Sequence, residues 1–168
     1  NKEKGQVYIF SNQSLASGAS LIHPHSQLVV VPNDIKTNTL EVQPVVNIVE
    51  QNDSFISYCP EFSEWAYEIW ITKSQKSKIK SQKFEEINEN EIKDLAKILQ
   101  SALIKLKKIH AIHYSKKSYG YNFYIPPGPD WYLRIIPRFM ERAGFELSTR
   151  IMVNSVDPKI AAEELKTI

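Results

Sequence analysis

Two imidazoles and a carboxamide stand at alternate positions in His23-Pro-His-Ser-Gln27. A neutral imidazole has an ordinary pKa near ~6.5, so around neutrality it is mostly unprotonated and can attack phosphorus without a separate base. A carboxamide two residues along offers a neutral donor for charge on phosphoryl oxygens. It cannot protonate a leaving group, which suits group transfer better than hydrolysis. Just upstream, Ser17-Gly-Ala-Ser20 is small enough to let a phosphate or a backbone come close, with Gly18 the permissive residue. The chemistry outlined is a phosphate site on a sheet.

The element that must position these groups is a strand. Extended chain alternates faces, so a second strand over residues 21–31 puts Leu21, His23, His25 and Gln27 on one side, with residues 28–31 continuing as a buried strand. Pro24 donates nothing to a ladder and places the segment at a sheet edge or bulge, where both histidines stay accessible. Residues 6–10 read as a first strand with no partner before it, a possible dimer edge, and residues 12–20 as a loop of turn formers. Because the sequence begins without methionine and enters this strand almost at once, it is expected to start partway through a longer polypeptide. Residues 32–52 are polar with scattered valines and read as a connection with a short helix.

A second unit follows. Residues 54–59 and 65–72 alternate as strands, the latter with Trp65, Tyr67, Ile69 and Ile71 on one face and Glu68 on the other. Residues 73–83 form a lysine- and serine-rich loop. A long helix opens at Asn88, with Glu91 completing a capping box, and carries Ile92, Leu95, Ala96, Leu99, Ala102, Leu103 and Leu106 on one face. His110 and His113 are expected to follow it, exposed near its C-terminal dipole. Strands at 121–125 and 131–136, joined by Pro126-Pro-Gly-Pro-Asp130, make a hairpin. A strand at 150–155 leads to a last helix with Asp157 as N-cap and Pro158 at its first position. Arg134 and Arg138 read as surface ion-pairing residues, and Cys59 as a small buried apolar residue. The fold class is α+β with an antiparallel sheet.

Composition narrows the function classes. The 168 residues are 42% hydrophobic and 24% charged, enough for a real core. A net charge of +2 gives no excess that would call for nucleic acid. One cysteine excludes an internal disulfide and any multi-cysteine zinc site, and fits a reducing cytoplasm. No apolar run is long enough to span a bilayer, so no membrane association is expected.

The residues Phe10-Ser-Asn12, Gly18-Ala-Ser20 and His23-Pro-His-Ser-Gln27 together resemble the active-site signature of the galactose-1-phosphate uridylyltransferase family, a branch of the histidine-triad nucleotidyltransferases. Trp131-Tyr-Leu-Arg-Ile-Ile-Pro-Arg138 and Gly144-Phe-Glu-Leu147 resemble the end of that family's second repeat. The resemblance implies a histidine-triad-like antiparallel sheet with packed helices, one incomplete and one complete repeat. Residues 1–50 would be the C-terminal part of the first repeat and residues 51–168 a second, degenerate one. It implies His25 as the nucleophile that carries a nucleotidyl group as a phosphoramidate, Gln27 as its phosphoryl partner, and Asn12, Gly18, Ser20 and His23 around the phosphate.

The implied partners are a nucleotide sugar and a sugar 1-phosphate, with a homodimer possible. A relative acting on ADP-glucose or as a dinucleoside polyphosphate phosphorylase fits the same residues, as does a non-catalytic nucleotide-binding module. Many members of the family also bind zinc through two upstream cysteines, a histidine and the histidine at the place of His23. Some add a second metal on the strand where this chain has Tyr132, Arg134 and Ile136. The cysteines are absent here, so no metal or other cofactor is expected.

Overall fold

The structure, a computed structural model, describes residues 5–74 and 83–168. Seven strands form one antiparallel sheet: β1 (Gly5–Gln13), β2 (Gln27–Pro32), β3 (Ile48–Gln51), β4 (Phe55–Tyr58), β5 (Ile69–Lys73), β6 (Tyr121–Ile125) and β7 (Leu133–Pro137). Their order across the sheet is β2-β1-β6-β7-β5-β4-β3. Among the described residues there are three α-helices, α1 (Glu89–His113), α2 (Gly144–Thr149) and α3 (Pro158–Thr167). The α+β class and the antiparallel sheet hold. None of the described helices is long and apolar enough to cross a membrane.

Register assigns the faces, because residues paired across an antiparallel ladder share a side. On one side Ile9, Ile125, Ile135, Leu133, Ile69, Ile71 and Phe55 meet Leu95, Ile98, Ala102, Leu106 and Ile109 of α1 and Ala161, Ala162 and Leu165 of α3. The buried line of α1 runs at intervals of three and four, as helical periodicity demands. It is rotated from the expected stripe: Ile92 is exposed, while Ile98 and Ile109 are core. Asn88 caps the helix through the backbone N–H groups of Asn90 and Glu91, and Glu91 returns a bond to the Asn88 N–H. Asp157 caps α3 by accepting from the Lys159 N–H, with Pro158 at the first position. A groove of about 620 Å³ lined by Leu99, Leu103 and Tyr121 opens between α1 and the β1/β6 end.

The other side carries one continuous row: Gln27, Phe10, Tyr124, Arg134, Trp70 and Tyr58 are successive register partners across six strands. Trp70 and Tyr132 stack with centroids 4.0 Å apart. The segment 33–47 crosses this face as a strap. Tyr58 Oη donates to the Gln43 carbonyl at 3.0 Å and Tyr132 Oη to the Leu40 carbonyl at 2.8 Å, and Tyr8 Oη bonds the Thr37 hydroxyl.

Several expectations are corrected. Strand β1 is not unpaired: it lies between β2 and β6, so the sheet edge is β2. As an edge, β2 leaves Leu28, Val29 and Val30 exposed, not buried. Segment 32–52 holds the strap and β3 in place of a short helix. The strand expected over 65–72 begins only at Ile69, because the chain turns at 65–68 and Tyr67 takes φ +59°. His110 and His113 lie within α1, and His110 is buried with Nε2 at 2.9 Å from the Lys117 carbonyl. Residues 150–155 form no strand, and the short α2 before them was not foreseen. Of the lysine-rich loop, residues 75–82 lie outside the described residues, while Lys73 ends β5 and pairs with Glu91 at 2.8 Å.

Candidate functional site

Strand β1 supplies the floor of the site, and the chain re-enters through a built turn. After Gln13 the backbone closes a 3-10 turn at Leu15–Ser17, with Ser14 at φ +77° and Gly18 at φ +80°. The Ser17 hydroxyl donates to the Gln13 and Ser14 carbonyls, at 2.6 and 2.8 Å. Nothing lies within 4 Å of where a Gly18 Cβ would be, so glycine is required for its backbone angle and not for space. Gly120 is the opposite case: a Cβ there would meet Ser14 Oγ at 2.4 Å and the Gln13 carbonyl at 3.0 Å. The turn rests directly on the chain entering β6.

Residues 20–26 are not strand. The ladder between β1 and β2 ends at Phe10↔Gln27, and the proline and bends before it carry the histidines off the sheet. His23 and His25 are thus not successive positions on one pleat, and they differ in exposure: His23 is exposed and His25 half-buried. Their rings lie 5.3 Å apart at 50°.

The geometry around His25 is specific. Its Nδ1 is 3.0 Å from the His23 carbonyl. A carbonyl only accepts, so that bond places a proton on Nδ1, and in the neutral ring Nε2 carries the lone pair. Gln27 Nε2 stands 3.5 Å from that same nitrogen, at the long limit of a hydrogen bond. The backbone of His25 is pinned as well, since Ser11 Oγ donates to its carbonyl at 2.7 Å. One imidazole therefore has a fixed tautomer, a fixed backbone and an amide beside its free nitrogen.

Asn12 lies two residues beyond Phe10 on β1, on the face of the sheet that carries Phe10 and Gln27. Asn12 is half-buried and faces Asn122 across the β1/β6 ladder. Asn122 Nδ2 donates to Asn12 Oδ1 at 2.7 Å and to the Ser17 carbonyl at 2.8 Å. The structure thus brings His23, His25 and Gln27 together, with Asn12 on the same face of the sheet as Gln27. Gly18 and Ser20 sit on the exposed connection and, among the described residues, bond to neither His25 nor Gln27. Ser11 and Asn122 were missed by sequence reasoning. Serine beside Asn12 gave a local signal, but Asn122 lies 110 residues away and nothing in the sequence pairs the two.

Along the same row, Arg134 is a buried ion-pair partner, not a surface one. Its Nε and Nη2 bond Glu68 at 2.7 and 2.9 Å, Nη2 also reaches Glu64 at 3.0 Å, and Nη1 donates to Tyr124 Oη at 3.1 Å. Burial alone would lower the pKa of Arg134, but the hydrogen bond to Glu68 and its charge outweigh it and raise the value, so the guanidinium stays charged. Arg138 and Arg142 each lie 4.7 Å from the centroid of the Trp65 ring. Cys59 is buried, and burial followed by the charge of Glu68 pushes its thiol up to about 12.

Among the described residues no three of His, Cys, Asp and Glu gather as metal ligands. On β7, where the resemblance implies a second metal in some members of the family, the chain has Arg134, whose guanidinium is bonded to Glu68.

No family model matches the sequence. Over 96% of its length the chain is 24% identical to an ADP-glucose phosphorylase of Arabidopsis thaliana, covering 52% of that protein. Over 59% of its length it is 30% identical to a galactose-1-phosphate uridylyltransferase of Saccharomyces cerevisiae, covering 32% of it. The chain spans about half or less of the curated relatives it matches. The solved ADP-glucose phosphorylase from Arabidopsis thaliana with bound ADP-glucose shares the fold at TM-score 0.79 and 22% identity, covering 98% of this chain and 60% of that one. A uridylyltransferase structure does so at TM-score 0.74 and 20% identity, covering 99% and 61%. The resemblance carried by the histidine block extends along the chain, which is homologous to both kinds of protein.

Proposed function

We propose that this chain carries the nucleophile side of a nucleotidyl-transfer site, with His25 as nucleophile and Gln27 and Asn12 as donors to the phosphoryl oxygens. The observation that supports it best is the imidazole whose Nδ1 is committed to the His23 carbonyl at 3.0 Å while Nε2 faces the Gln27 amide. The Nε2 lone pair attacks the α-phosphorus of a nucleotide sugar. A nitrogen–phosphorus bond forms as the bond from phosphorus to the sugar 1-phosphate oxygen breaks, and the sugar 1-phosphate leaves. A second phosphate then attacks the same phosphorus, the nitrogen–phosphorus bond breaks, and the imidazole recovers its lone pair. The amide donors act where charge gathers on the phosphoryl oxygens.

In this reading residues 1–50 end one histidine-triad repeat and residues 51–168 form a second without the nucleophile. The match to ADP-glucose phosphorylase runs over 96% of the chain against 59% for the uridylyltransferase, which favours ADP-glucose as donor and inorganic phosphate as acceptor over the uridine pair. Intact-mass measurement of the full-length protein after incubation with ADP-glucose or UDP-glucose tests it. A nucleotidyl adduct is expected on the wild type and not on His25→Gly, and its absence from the wild type with both donors overturns the reading.

A further inference from the structure

We infer that Asn122 is a positioning residue that sets which end of the Asn12 amide faces the phosphate. The inference rests on the transfer reading of the site. Asn122 Nδ2 meets two acceptors, Asn12 Oδ1 at 2.7 Å and the Ser17 carbonyl at 2.8 Å. Both of its hydrogens are committed, so its own orientation is not interchangeable: an oxygen in that position would face two oxygens. The bond in turn commits the oxygen of Asn12. A carboxamide is a two-ended group, and with its acceptor end held its Nδ2 hydrogens turn away from Asn122, where no described residue accepts them. An anion needs donors there, and a carbonyl in their place would repel it.

The same side chain joins two parts of the site that are separate in sequence. It draws the Ser17 carbonyl, and with it the turn that ends at Gly18, onto β6 beside Asn12, the register partner of Asn122. The close approach at Gly120 packs the turn against the same chain. Asn122 touches none of the groups that react. It acts through Asn12.

The variants separate polarity from packing. Asn122→Asp keeps the shape but offers only acceptors, so Asn12 reverses and presents its oxygen to the phosphate. Asn122→Ala leaves Asn12 free to take either orientation. In the full-length protein with ADP-glucose and UDP-glucose, the rate of adduct formation at saturating donor is expected to fall about a hundredfold for Asn122→Asp and about tenfold for Asn122→Ala. In an Asn12→Ala background the further cost of Asn122→Asp is expected to shrink to that of the lost Ser17 bond, because the amide that it reverses is gone. Thermal melting of each variant accompanies the rates, since a purely structural role lowers both variants in step with their stability and in either background. Equal rates for Asn122→Asp and wild type, or an undiminished effect in the Asn12→Ala background, overturn the inference alone. A wild type that forms no adduct overturns the reading of the site and the inference with it.

Discussion

Single residues in this protein are held by backbone angle, by desolvation or by one hydrogen bond, and each leaves a measurable trace. Gly18 sits at φ +80° with open space around it, so Gly18→Ala introduces strain without a clash. The expected cost is about 1–2 kcal/mol of stability, read from urea unfolding. Cys59 is held as a neutral thiol: burial first, then the Glu68 carboxylate, lift it from 9.0 to about 12, against a smaller opposing effect of Lys166. It is expected to resist iodoacetamide at pH 8 in the folded protein and to react fully in denaturant. The unfolded thiol ionises first, so this contribution to stability is complete below about pH 9 and is lost as pH rises toward 12.

Elements meet the site through cross-strand partners, and this is where the sequence was least informative. Alternation and capping signals located β1, β4, β6, α1 and α3, because burial on one face leaves a local pattern. They missed where β2 begins: a proline four residues into the expected strand ended the ladder and took the histidines off the pleat. They also read Arg134 as a surface residue, since its charge is local and the partner that buries it is on the 64–68 turn. The motif revealed His25 and Gln27 but not Ser11 or Asn122, whose roles depend on which strands become neighbours. The Glu68–Arg134 pair ties that turn to β7, and Glu68 also accepts from the Trp70 indole at 2.6 Å and from the Glu64 and Trp65 N–H groups. Glu68→Ala strips the main partner from a buried guanidinium, and a loss of about 3–5 kcal/mol is expected in thermal unfolding. Adding Arg134→Met should return part of it.

At the scale of the molecule, one sheet places Gln27, at the end of the histidine block, and the buried ion pair in a single row, so the site is continuous with the core of the rest of the chain. Strand β1 is the joint: β2 is its neighbour along the chain, but its other neighbour, β6, comes from far down the sequence, with Asn12 and Asn122 separated by 110 residues. During synthesis β1 and β2 emerge well before β6, so β1 gains this neighbour only after the intervening chain has been made. Closing the long loop to β6 costs chain entropy before any contact repays it, which makes this docking slow relative to the local helices. The imidazole is therefore made well before the strand that completes the sheet beneath it.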